Sequence, residues 1–256
     1  AARMVVGELE RLGRLGAPVV LRTPPGVDAT GWAAIVHLAS PRSGGPFIVV
    51  DGTSGSEHDL DSWQNPERSP LALADGGTLC LLDAAALPLE IQEHVSRSLS
   101  RHGEAAVRGS VTHASLVASL RAPLAELVEQ GRLEKGLARF LGSAEVALPT
   151  LAERAEDIRA LCLDALARSG LEKDGRPMGL DTSALRLLSE HEWPGNDHEL
   201  EDVIARATRA ASGSVLTASD LGAAGFSPLV SQAASVTPIP VVTRRRMRAR
   251  RPPRSR

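Results

Sequence analysis

The stretch "VVLRTPPGVDATGWAAIVH", residues 19–37, decides the fold class. Val19, Val20 and Leu21 read as a buried strand. "TPPG" ends it, because proline fixes φ and removes an N–H while glycine frees the backbone, and the small and apolar residues after Asp28 carry a helical pattern. Strand, tight turn and helix in this order bring a glycine-containing turn to a helix N-terminus, the arrangement that cradles a phosphate. The cation such a cradle uses at its helix start is missing, since Ala29 stands there.

Outward from this stretch, short apolar runs alternate with helical patterns. "APVVL" (17–21), "PFIVVD" (46–51), "GTLCLL" (77–82), "AAVRGSV" (105–111) and "AEVAL" (144–148) read as strands. Helices are expected near 29–39, 88–101, 121–130 and 132–141, after an opening amphipathic helix carrying Val5, Leu9, Leu12 and Leu15. Such alternation implies an α/β fold with a mostly parallel sheet covered on both faces. After Pro149 the pattern becomes helical. "ERAEDIRALCLDALARSG" places Ile158, Leu161, Leu163 and Leu166 near one stripe and ends at Gly170, and two further helices are expected, capped by Asp181 and Asn196, the second closed by Gly213. The expected division is an α/β subdomain at 1–150, an all-helical subdomain at 151–222 and a disordered, arginine-rich tail at 223–256.

A chain of 256 residues with 43% hydrophobic content can bury a sizeable core. No run reaches the roughly 18 apolar residues of a membrane span, and "AARMVVGELE" lacks the order of a signal peptide, so a cytoplasmic location is expected. Cys80 and Cys162 lie in separate apolar runs and read as reduced core residues, not as a disulfide or metal pair. The net charge of -2 averages two unlike parts: residues 244–256 hold eight arginines and no acid, leaving 21 basic against 31 acidic residues in the rest. Arg244, Arg245, Arg246, Arg248, Arg250 and Arg251 could meet nucleic-acid phosphates with a steep salt dependence. A solubilising end, or a basic tail folded back on an acidic body, reads the same composition equally well.

Four stretches in order, the strand-turn-helix above, "GGTLCLLDAAALPLEIQEHVSRSL" (76–99), "LPTLAERAEDIRAL" (148–161) and "HEWPGNDHELEDVIARA" (191–207), resemble the AAA+ central domain of bacterial sigma-54-dependent transcription activators. The resemblance covers about residues 5 to 222. It implies a parallel sheet of P-loop type with a small helical lid, ATP bound between subunits of a ring, and an exposed loop that acts on sigma-54.

Carried over position by position, the resemblance becomes a series of departures. The family's GESGTGKE falls on "TPPGVDAT": Thr23, Pro24 and Pro25 replace the first residues, Gly26 survives, Asp28 replaces a glycine, Ala29 replaces the lysine, and Thr30 closes the motif. Prolines cannot donate to a phosphate. A carboxylate at Asp28 would repel one by about 4 kcal/mol at ~4 Å and an effective dielectric near 20. As the first residue before a helix, Asp28 can instead cap it and meet its positive end, filling the phosphate position with a built-in anion.

In the second motif, the magnesium-associated aspartate position is Leu82 and the water-orienting glutamate position is Asp83. The family's trans-acting arginine positions fall on Glu134 and Phe140, with Arg132 and Arg139 out of register. A trans arginine contributes about 10³ or more in related phosphoryl transfer. His198 stands at the sensor arginine of the lid, and His113 is the nearest match to the first sensor. His191, Glu192, His198 and Glu199 lack HExxH spacing and suit structural or exposed roles better than a metal. The sigma-54 loop is shortened to "GTSGSEHDLDSWQNPERSP", in which Trp63 reads as a packed anchor.

The expectation is therefore an AAA+ pseudo-ATPase without bound ATP or magnesium and with no catalytic or metal residues, serving as a regulatory or interaction module of a transcription regulator. Its expected partners are AAA+ homologues, itself or another protein, with DNA reached only through the tail and no membrane contact. A regulator that still binds ATP is the other reading within the family.

Overall fold

Strand β1 (Val19–Arg22) pairs with two neighbours and sits second from one edge of a five-stranded sheet ordered β2-β3-β4-β1-β5. Its companions are β2 (Phe47–Asp51), β3 (Thr78–Leu82), β4 (Ser115–Leu120) and β5 (Glu145–Ala147), and all adjacent pairs are parallel. The computed structural model describes residues 1–100, 113–142, 144–168 and 178–229.

Alternation along the strands sends side chains to two cores. Val20, Leu79, Leu81, Leu116, Ala118 and Leu120 face one side, while Val19, Leu21, Cys80 and Val117 face the other. Helices α1 (Ala2–Leu15) and α2 (Thr30–Ala39) cover the second face through Leu9, Leu12, Trp32, Ala33 and Val36. Leu15, the last of the four expected apolar positions of α1, is 65% exposed, because the helix stops at Gly16 before that turn reaches the core. The first face is covered by α3 (Leu60–Gln64), α4 (Pro70–Leu73), α5 (Leu89–Ser100), α6 (Leu124–Glu129) and α7 (Lys135–Leu141).

Two expectations for this part change, and a third falls outside the described residues. The strand placed at 105–111 lies outside the described residues, and the fourth described strand is "SLVASL" at 115–120, which the sequence reading did not pick out. Helix α6 begins after Pro123, not at 121, because proline disfavours a helical residue before it. Helix α7 begins at Lys135, not at 132, because Glu134 caps it with its carboxylate, accepting the N–H groups of Gly136 and Leu137 at 2.7 Å each.

A third core belongs to the C-terminal part. There α8 (Ile158–Arg168), α9 (Thr182–Ser189), α10 (Asn196–Ala210) and α11 (Ala218–Ala223) pack around Cys162, Leu188, Trp193, Leu200 and Ile204. The layer is helical except for one parallel pairing of β6 (Gly179–Leu180) with β7 (Val215–Leu216). Asp181 caps α9 as expected, accepting from Ser183 N–H. Asn196 does not cap α10. It has φ 52°, and its side chain accepts the Leu151 N–H instead. Helix α10 ends at Ala210, three residues before Gly213.

The tail begins later than residue 223. Phe226 stacks on Trp193 at 5.8 Å and meets His191 edge-on at 5.1 Å, while the Leu229 N–H donates to His191 Nδ1 and its carbonyl accepts from Glu192. One aromatic anchor outweighs the Ser/Pro composition around it. Gly170 and the arginines from Arg244 onward lie outside the described residues. Among the described residues no helix is long and apolar enough to cross a membrane.

Candidate functional site

The carboxyl ends of β1, β3 and β4 open on a small cavity of about 150 Å³. Gly26, Asp28, Ala29, Leu82, Asp83 and His198 all line it, together with Thr23, Asp51, Ser119 and Arg121. Thr30 is one step behind, its N–H donating to Asp28 Oδ1 at 2.9 Å. The expected capping role of Asp28 is thus present: the helix-capping position itself is Ala29, which has no side-chain group to offer, and the exposed Asp28 reaches the first turn from one residue earlier.

Three polar groups of the turn meet the C-terminal helical part. The carbonyl of Pro25 accepts from Asn196 Nδ2 at 2.8 Å, that of Gly26 accepts from His198 N–H at 3.0 Å, and the Asp28 N–H donates to Asp197 Oδ2 at 2.9 Å. Val27 N–H is taken by Pro24 O and Thr23 N–H by Leu120 O, and Pro24 and Pro25 have none. Gly26, at φ 77°, approaches Gly195 so closely that a Cβ there would lie 2.1 Å from the Gly195 carbonyl oxygen. Only glycine suits both conditions.

Behind this seam lies a buried ion pair. Arg154 Nη2 donates to both carboxylate oxygens of Asp197, and both residues are 5% exposed. The guanidinium carbon of Arg154 lies 5.7 Å from the centre of the Trp32 ring on α2. A chain of contacts therefore runs from the turn through Asp197 to Arg154 and back to α2.

At the end of β3, Asp83 adopts the left-handed conformation at φ 48°, which aims its N–H at Ser119 Oγ (2.7 Å) and its carboxylate at Arg121 Nε (2.6 Å). Leu82 packs partly into the core under α1 and α2. Asp51 turns back on Thr53, accepting its N–H and hydroxyl. Among the described residues no three His, Cys, Asp or Glu side chains are grouped to hold a metal ion.

Comparison with known proteins agrees with this architecture. Residues 152–235 match the family model described as the AAA+ ATPase lid domain. The chain is 31% identical to the nitrogen assimilation regulatory protein NtrX of Azorhizobium caulinodans over 224 residues, which is 80% of this chain and 48% of that protein. It is 29% identical to the DNA-binding transcriptional regulator NtrC of a Bradyrhizobium species over 245 residues, 90% of this chain and 51% of that protein. The chain belongs to the AAA+ domains of the sigma-54-dependent activators. It spans about half the length of the curated relatives it matches. The crystal structure of NtrX from Brucella abortus in complex with ATP has the same fold, with a TM-score of 0.66 at 24% identity over 86% of this chain and 54% of that one.

The AAA+ positions expected to carry arginines have other duties. Glu134 is the cap of α7, and Ser96 Oγ also donates to it. Burial alone would push its carboxyl upward, but these N–H and hydroxyl donors hold it below the usual glutamate range. Phe140 packs against the first core, and Arg132 and Arg139 are exposed. His198 is exposed at the cavity and acts through its backbone.

His191 is buried, with Nε2 2.9 Å from Glu199 Oε1, a contact within the lid. His113 sits at the entry of β4, the opposite end of the strand from the cavity, beside Asp75. The end of β4 nearest the cavity supplies Ser119 and Arg121 instead. The segment replacing the sigma-54 loop is anchored by Trp63, 1% exposed, whose Nε1 donates to Glu57 O at 2.9 Å. Sequence reading passed over Arg154 and Asp197 and gave Asn196 only the role of a helix cap, although all three lie inside the quoted motifs.

Proposed function

We propose that this AAA+ domain is a pseudo-ATPase: a sigma-54-activator scaffold that neither binds nor turns over ATP and acts as a regulatory or interaction module of a transcription regulator. The observation that carries this reading is the seam between turn and lid. In a phosphate cradle the turn's N–H groups face the ligand. In this chain the N–H groups of Thr23, Val27, Asp28 and Thr30 are committed to protein acceptors, and Pro24 and Pro25 have none to give.

The residues present do not fit a magnesium-bound triphosphate. The helix start carries Asp28 and Ala29 in place of a glycine and a lysine, Leu82 replaces the metal-associated acid, and Asp83 is engaged by Arg121. The cavity, about 150 Å³, is bordered by three carboxylates, those of Asp28, Asp51 and Asp83. A polyanion brought there meets like charges and a desolvation cost.

Partners follow from the scaffold. A second copy or an AAA+ homologue could take the chain into a ring, where Glu134 and Phe140 deny a neighbour its trans arginines. A phosphate-release assay with magnesium and ATP tests the reading: the chain is expected to give no turnover above a protein-free blank. Turnover abolished by Asp83→Asn would reject it.

A further inference from the structure

The segment that follows α11, residues 224–229, runs back to the loop between α9 and α10 and is fastened there around His191. Three contacts hold it: the Glu192 N–H donates to the Leu229 carbonyl at 3.1 Å, the Leu229 N–H donates to His191 Nδ1 at 2.7 Å, and Phe226 stacks on Trp193. A backbone N–H can only donate. Nδ1 must therefore present its lone pair, and the ring proton sits on Nε2. From there it is donated to Glu199 Oε1 at 2.9 Å, while Glu199 Oε2 accepts the Gly195 N–H at 2.7 Å. One uncharged tautomer of a histidine only 6% exposed satisfies every polar group in this chain of contacts.

The surroundings of the ring decide what a second proton does. Helix α10 brings the carboxylate of Glu199 to it. The end of α9 carries Glu190, already paired with Arg186, and the loop carries Glu192, which is exposed. On α11, Asp220 is held in its capping box with Thr217. A proton added at Nδ1 makes an imidazolium whose charge Glu199 offsets through Nε2. On the other side that proton meets the Leu229 N–H, donor against donor, and a buried donor without an acceptor is costly. The two sides are unequally fixed. Glu199 belongs to a 15-residue helix and is also held by Gly195, whereas residues 224–229 form no helix or strand and Leu229 is 57% exposed.

We infer that His191 is a proton-operated latch on residues 224–229. Neutral, it holds Leu229 against the loop; protonated, it keeps Glu199 and releases Leu229, and water takes the new Nδ1–H. Proton uptake is the whole step, with no covalent bond between heavy atoms made or broken. Histidine is the side chain that gains a proton on mild acidification, so the contact is present at neutral pH and lost as pH falls. Release loosens the Phe226 ring and uncovers Trp193, which is 1% exposed in the latched state. The latch lies wholly within the lid and operates whether or not the small cavity takes a nucleotide.

The test is hydrogen exchange of the full chain, followed amide by amide and divided by the intrinsic rate at each pH. Between about pH 7.5 and about pH 5.5 the Leu229 and Glu192 amides are expected to lose about five-fold or more in protection, the scale of one lost hydrogen bond, while Val203 and Ile204 in the core of α10 keep theirs. His191→Gln can accept from Leu229 and donate to Glu199 without titrating, so its Glu192 amide should stay equally protected at both pH values. Leu229→Pro removes the N–H that the new proton meets, at a residue outside the lid's core. Its Glu192 amide should likewise show no change with pH, and this variant decides the question if His191→Gln loses the protection of α10. The inference is overturned by equal Leu229 protection at the two pH values, by a drop at Glu192 in a folded His191→Gln or in Leu229→Pro as large as in the wild type, or by a loss at Val203 and Ile204 as large as at Leu229.

Discussion

Asp28 and Asp197 are two carboxylates at one seam with different duties. Asp28 is exposed and accepts one helix N–H, so Asp28→Ala is expected to cost about 1 kcal/mol, as the loss of a helix cap does. Asp197 is buried against Arg154, so Asp197→Ala leaves an unpaired buried guanidinium and is expected to cost about 3–5 kcal/mol in urea denaturation. Arg121→Ala breaks the more exposed pair with Asp83 and should cost about 1 kcal/mol or less. Equal losses for Asp197→Ala and Arg121→Ala would contradict the burial argument. The role of Asp28 was legible because an acid before a helical run has one common use. That of Asp197 was not: beside His198 in a helix's first turn it resembles any surface acid, and only Arg154, 43 positions earlier, makes it a core residue.

The strand-turn-helix at 19–37 was legible as an element because a short apolar run gives way, across a Pro/Gly turn, to a helical pattern. The ends of α6 and α7 were not, since caps and a proline override an apolar pattern that runs through them. Helix α7 offers a pH test. Because N–H and hydroxyl donors depress the Glu134 carboxyl in the folded state, its contribution is fully present above the ordinary glutamate value and is lost as pH falls through the lowered folded value. The stability gap between the wild type and Glu134→Gln should therefore be constant at neutral pH and shrink below about pH 4.5. A gap that stays constant to pH 3 would show that capping charge is irrelevant there.

The buried strand and helix that hold Cys80 and Cys162 give a simpler prediction. Burial pushes both thiols up to about 12, Cys80 with a further push from Asp28, so they stay protonated at pH 8. Ellman's reagent should label neither until denaturant is added.

At the scale of the whole molecule, the sheet and its two helical layers follow from alternating apolar runs, and the separate core of the lid follows from the change of pattern after Pro149. The docking of lid on turn did not follow from any pattern. It depends on Gly26 and Gly195 approaching backbone to backbone, and on Asn196 turning away from its helix to hold Leu151 and Pro25. Gly26→Ala should part this seam, costing about 1–3 kcal/mol and raising hydrogen exchange at both the turn and the start of α10. Exchange raised at the turn alone would mean the two parts are not held together by it.

On the proposed reading the seam also governs ligand access, because a phosphate would have to take the Asp28 N–H from Asp197. The most direct test of the central claim is a titration of the full chain with a fluorescent ATP analogue and magnesium. The closed, acidic turn predicts no saturable signal up to about millimolar analogue, weaker than ~4 kcal/mol of binding free energy. A dissociation constant in the micromolar range, competed away by unlabelled ATP, would contradict it.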